Sequence, residues 1–97
     1  MIRHVVLFRF RPGLEPERQR EFHAATAAFV KQIPAISAAQ FGPNLRLQQE
    51  GFDYALLLDF VDATAFARYK AHPAHARFIE DHIRGRVDET VRVQLAV

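Results

Sequence analysis

Three of the chain's five histidines fall between positions 72 and 82: His72, His75 and His82. Pro73 divides this run, because its ring cannot continue a helix arriving from before it. One helix is expected to stop before His72 and a second to start at Pro73. In the second, His75 shares a stripe with Phe78, Ile79 and His82, spaced three, four and seven residues on. A titratable ring is thus aimed at an apolar core. An imidazole titrating at its ordinary value of about 6.5 is largely deprotonated at neutral pH and suits removal of a proton beside a carbonyl. The plainer reading is a core histidine satisfied by a hydrogen bond. A metal site built from His72, His75 and His82 is the third. It is disfavoured because His72 precedes the break and no carboxylate takes an obvious fourth position, so no metal and no cofactor is expected. His4, alone on an apolar strand face, reads first as another satisfied core histidine.

The elements that position these residues follow from periodicity. Residues 2–11 alternate, with Ile2, His4, Val6, Phe8 and Phe10 on one face and Arg3, Val5, Leu7, Arg9 and Arg11 on the other. Such alternation is a strand with one core face. Pro16 and Glu17 open a helix carrying Phe22, Ala25, Thr26, Phe29, Val30 and Ile33, which Pro34 ends. Residues 37–47 read as an edge strand interrupted at Gly42-Pro43, and residues 48–51 as a hairpin turn into a strand over 53–61. Asp62 caps a short helix running to Ala71. The helix from Pro73 is expected to continue to Gly85. A last strand over 89–97 sets Val91, Val93, Leu95 and Val97 against Thr90, Arg92 and Gln94.

Strand–helix–strand–strand–helix–strand is the order of the ferredoxin-like α+β unit, and 97 residues suit a single domain spanning 1–97. Apolar residues make up 49% of the chain and phenylalanine supplies nine, which argues against disorder. No cysteine is present, which removes disulfides and thiolate metal sites. No apolar run approaches the length of a membrane span and the N-terminus enters a strand pattern at once, so a soluble, cytoplasmic protein is expected. The net charge of +2, with arginines scattered along the chain, points to no polyanion.

Helices can cover only one face of a four-stranded sheet. The larger side chains of the first and third strands sit at even positions and should face the helices. Val5, Leu7, Leu57, Val61 and the valines of the last strand are left on an open face, which favours a homodimer packed through its sheets. On that face Arg9 or Arg11 is expected to neutralise Asp53 or Asp59. RNA-recognition domains share the topology but stack bases on aromatics of the open face. Here Phe8, Phe10, Tyr54 and Phe60 belong to the covered face, and nucleic acid is rejected as a partner.

Several segments now line up with one family. His4-Val5-Val6-Leu7-Phe8-Arg9-Phe10, Gln32-Ile33-Pro34-Ala35-Ile36, Glu50-Gly51-Phe52-Asp53-Tyr54 and above all Tyr69-x-x-His72-Pro73-x-His75-x-x-Phe78 resemble the stress-responsive dimeric α/β-barrel (Dabb) family over essentially the whole chain. The resemblance implies ferredoxin-like units paired into a dimeric α/β barrel. Many members are known only as stress-induced or stable small proteins. A plant member, olivetolic acid cyclase, performs an intramolecular aldol condensation without a metal, in a pocket between sheet and helices. Its catalytic histidine and adjoining tyrosine match His75 and Tyr69. By the same resemblance the ligand-binding positions are His4, Val6, Phe8, Phe22, His23, Leu56, His72 and Phe78. Larger residues stand in the cyclase where this chain has His23, Thr26 and Ala27, so the substrate does not transfer.

The site implied is His75 as a general base held by the Tyr69 hydroxyl, with Tyr69 or a second histidine stabilising an oxyanion. His72 has the simpler job of capping the second helix. The expectation is a homodimer binding a small carbonyl-containing or aromatic ligand, with cyclase- or lyase-type acid/base chemistry. The alternative is a non-catalytic stress or stability protein in which His75 and Tyr69 are only structural.

Overall fold

A computed structural model describes residues 1–48 and 50–97. Strand β1 (Ile2–Phe10) buries its even side chains, and β3 (Tyr54–Phe60) does the same. They pair antiparallel with Val6 opposite Leu56 and His4 opposite Leu58, so their apolar positions share one face. Helix α1 (Pro16–Gln32) follows β1 and lays Phe22, Thr26 and Phe29 on that face. The edge strand β2 (Ala38–Pro43) pairs with β3, and β4 (Val87–Ala96) pairs with the other side of β1. The sheet order is β2-β3-β1-β4 with every pair antiparallel, the ferredoxin-like α+β arrangement.

Between β3 and β4 come α2 (Ala63–Ala71) and α3 (Pro73–Phe78). Asp62 caps α2 by accepting from the Ala65 N–H at 2.8 Å. At the break His72 does two things. Its N–H closes α2 onto the Tyr69 carbonyl, and its ring Nδ1 accepts from the Ala74 N–H at 3.0 Å to open α3. Pro73 at the first helical position costs α3 no hydrogen bond.

Two expectations are corrected, and a third falls partly outside the described residues. The second strand ends at Pro43, and 44–47 do not extend it, because Pro43 has no N–H for a ladder and Arg46 turns the chain at φ 60°. The hairpin turn expected over 48–51 includes Gln49, which lies outside the described residues. The helix from Pro73 does not run unbroken to Gly85: Ile79–Ile83 form a π turn, closed by the Arg84 N–H on the Ile79 carbonyl at 2.9 Å. One extra residue in a turn slips everything after it by about 100°. Ile83, not His82, therefore returns to the core, and His82 moves off the His75 stripe. Its Nδ1 accepts from the Arg86 guanidinium at 3.4 Å.

The ion pairs also differ from expectation. Antiparallel register places Arg3 across from Asp59, and the two form a two-pronged bridge at 2.8 and 3.1 Å. Arg9 lies across from Glu89 and bonds it at 3.0 Å. Arg11 reaches Glu15, while Asp53 accepts from the Phe10 N–H and pairs with Arg46. The open face itself keeps the expected apolar strip. Val5 stands between Leu57 and Val93, and Leu7 between Ala55 and Val91. Val91, Val93 and Leu95 are 41%, 48% and 49% exposed, more than edge-strand residues need to be.

Candidate functional site

The core runs between α1, α2 and the covered face of the sheet, and it stops short of closing near β4. A cleft of about 80 Å³ is left between β1, β4 and the α3–π-turn segment, floored by Val6, Phe8 and Leu56. An outer recess of about 390 Å³ adjoins it. His4, Tyr69, His75 and Arg92 line both. Several ordered waters or the reacting end of a small molecule fit the inner part.

Tyr69 lies in the last turn of α2 and is 4% exposed. Its ring is packed among Phe29, Phe60 and His4 at centroid distances of 6.1, 5.1 and 5.9 Å. Burial pushes its phenol up to about 12, only slightly offset by Arg92, so it stays a hydrogen-bond donor at any physiological pH. Among the described residues its hydroxyl has no partner, and no sealed polar side-chain atom lacks one. The hydroxyl therefore opens into the cleft.

His75, on the first turn of α3, meets the Tyr69 ring edge to face at 4.8 Å and 75°. The expected hydrogen bond from the Tyr69 hydroxyl is not made. The two residues flank the Pro73 break, which sets ring against ring rather than tip against tip. Burial, then Lys70 and Arg92, hold the imidazole below its ordinary value, so it is the neutral base at pH 7.

His4 projects from β1 beneath both. Gln94 on β4 donates its side-chain N–H to His4 Nδ1 at 2.9 Å. An amide nitrogen can only donate, so the ring proton sits on Nε2. Burial first, then Arg92, His75 and Lys70, bring its pKa to about 4. The cleft thus presents a neutral acceptor, His75, with two neutral donors, the Tyr69 hydroxyl and His4 Nε2–H. That set can take a proton from carbon and hold the oxygen on which the charge collects.

A stability consequence follows for His4. Its folded value lies below the unfolded one, so the unfolded chain takes up the proton first as pH falls. The stabilisation from the neutral ring is complete above about 6.5 and is lost progressively towards 4, by roughly 2–3 kcal/mol in all. Urea midpoints of the native protein should fall between pH 7 and 5, and His4→Asn should flatten that fall. A parallel pair of curves would refute the assignment.

Of the positions carried over by resemblance, His4, Val6, Phe8, Leu56, Tyr69, His75 and Phe78 meet at this cleft. Three do not. Phe22 is fully buried behind it, 5.0 to 5.9 Å from the rings of Phe8, Phe10, Tyr54 and Phe78. His23 lies 2.6 Å from the Tyr54 hydroxyl and lines a separate, larger recess of about 560 Å³ with Arg20 and Phe10. There the imidazole and the phenol already bond each other. His72 is occupied as a cap. Among the described residues no group of three or more His, Cys, Asp or Glu is placed to hold a metal. Nor is any helix long and apolar enough to cross a membrane.

Arg92 and Thr90 were missed as site residues. Their signal is strand parity: if Val91 and Val93 face outward, Thr90, Arg92 and Gln94 must face the helices. Register puts them beside Phe8, Val6 and His4.

Comparison with known proteins bears on this arrangement. The family model for the stress responsive A/B barrel domain matches residues 2–96. A stress-response A/B barrel domain-containing protein of Arabidopsis thaliana is 30% identical over 79 residues, covering 79% of this chain and 72% of that protein. A dimeric ferredoxin-like protein of unknown function from Thermobifida fusca superposes with a TM-score of 0.90 at 28% identity, over 99% of this chain and 90% of its own. A hydroxynitrile lyase from Passiflora edulis reaches a TM-score of 0.84 over 99% of this chain and 92% of its own. At 17% identity it shares the fold alone.

Proposed function

We propose a function from the premise that this chain belongs to the stress-responsive A/B barrel domain family. Two copies pack through the open faces of their sheets, and the cleft of each binds a small carbonyl-containing or aromatic molecule. The apolar strip left on the sheet and the dimeric description of the Thermobifida relative support the pairing. The observation that carries the site is a half-buried neutral imidazole beside an unpartnered tyrosine hydroxyl in an apolar cleft.

In the reaction that suits this set, the free nitrogen of His75 removes a proton from the carbon next to a carbonyl. The carbonyl oxygen takes up the electron pair as an enolate and is held by the Tyr69 hydroxyl or His4 Nε2–H. The enolate carbon attacks a second carbonyl of the same molecule, and the resulting alkoxide recovers the proton from the imidazolium. A lyase would use the same base in the reverse sense, taking a hydroxyl proton as a carbon–carbon bond breaks.

A non-catalytic stress or stability role is the second reading, and the stress-response name of the Arabidopsis relative favours it. A thermal-shift screen of aryl ketones, aryl β-diketones and aromatic acids separates the two, since a ligand of the native state raises its melting temperature. Hits whose shift is lost in His75→Ala and reduced in Tyr69→Phe are expected. Silence across the screen would leave the second reading standing.

A further inference from the structure

We infer that the cleft takes a carboxylate-bearing ligand, with the anionic end held by Arg92 and Lys70 and the apolar body directed inward past Tyr69. This deepens the ligand-binding reading above and rests on it. Arg92 projects from β4 between Thr90 and Gln94 on the covered side of the sheet, opposite Val6. Lys70 follows Tyr69 at the end of α2, its ammonium 5.9 Å from the Phe66 ring. The two cations line the same outer recess from opposite walls, one on the sheet and one on the helix.

What makes this a binding arrangement is that two cations without a counter-charge converge on one recess. Arg20, Lys31, Arg68 and Arg77 also lack a carboxylate partner among the described residues, but of the unpaired cations only Arg92 and Lys70 share a recess with His4 and His75. No Asp or Glu lines the inner cleft or the outer recess. Both histidines there are disfavoured as cations, in part by these same two side chains. Two like charges, both solvent-exposed, thus stand at the rim of a depression whose inner wall is hydrocarbon. A guanidinium matches a carboxylate with two parallel N–H donors, and the Lys70 ammonium adds charge without demanding geometry. Inside, Val6, Leu56, Phe29 and Phe78 suit an alkyl or aromatic body. One molecule can therefore place a carboxylate at the mouth and its reacting carbons near His75.

Phenylacetate and phenylacetamide are nearly the same shape and differ in charge. Titrating each into the full chain, followed by amide and histidine-ring NMR signals, should show phenylacetate binding about tenfold more tightly. Arg92→Gln should remove most of that preference, weakening phenylacetate far more than phenylacetamide, and Lys70→Gln should weaken it partly. Arg92→Lys should restore part of it. Equal binding of the two probes at His4 and His75 would overturn the anionic assignment and leave the ligand cleft intact. Absence of shifts at His4 and His75 with either probe at millimolar concentration would overturn both. A carboxylate preference that survives Arg92→Gln unchanged would also overturn it.

Discussion

Val93→Glu should turn a dimer into a folded monomer, with the sedimenting mass falling from twice 11.1 kDa to 11.1 kDa at micromolar protein. Val93 is 48% exposed in the single chain and lies beside Val5, on the edge-strand side of the open strip that includes Leu7, Leu57 and Val91. A dimer-sized contact removes on the order of 800 Å² from water on each partner. At ~25 cal/mol per Å² of its apolar part, the strip supplies much of the driving force. A glutamate in this strip forfeits that burial and sets an ionised carboxylate against hydrocarbon, at a cost of several kcal/mol per protomer unless a partner is found. The nearest arginines cannot supply one cheaply, because Arg3 already holds Asp59 and Arg9 holds Glu89. Within one chain the glutamate is solvated, so circular dichroism should be unchanged. A variant that remains dimeric, or a native protein that is monomeric at this concentration, would contradict the pairing.

Phe22→Ala should cost about 3–5 kcal/mol of stability, read as a fall in urea midpoint at unchanged slope. The ring is fully buried on α1, with Phe10 and Tyr54 edge-on at 5.1 and 5.0 Å. It joins α1 to β1, β3 and α3 at once, so its removal leaves a void that no single element can close. A domain of this size holds only about 5–15 kcal/mol in reserve. The same substitution separates core from site. Were Phe22 a ligand contact on an open wall, its truncation would cost little stability and alter binding instead. A loss under about 1 kcal/mol would place it in the site.

How much of this could be read from the chain depends on how local the deciding physics is. Period-two alternation in β1 and β3 is local and strong, and the burial of every even residue from His4 to Phe10 and from Tyr54 to Phe60 follows it. The break at His72-Pro73 is equally local, since Pro73 lacks an N–H and His72 offers a ring nitrogen to the next turn. The π turn at Ile79–Ile83 has no comparable mark: nothing in Ile-Glu-Asp-His-Ile distinguishes it from one more helical turn, yet it exchanges His82 for Ile83 at the core. Ion pairs were misassigned because they depend on register, which pairs Arg3 with Asp59 across 56 residues. Arg92 was legible in principle from the parity of β4. A cation on a strand reads first as a solvated one, and only the register beside Val6 places it at the cleft.

The central claim is that a small carbonyl compound lodges beside His75, and the histidine rings report on it directly. Benzoylacetone, an aryl β-diketone, would be titrated into the native protein while the ring signals of all five histidines are followed. The account predicts saturable shifts of His75 and His4, with Tyr69→Phe weakening the response. His23, in its own recess against Tyr54, and His72, held as a helix cap, should not move. Shifts confined to His23, or still rings at millimolar ligand, would contradict it.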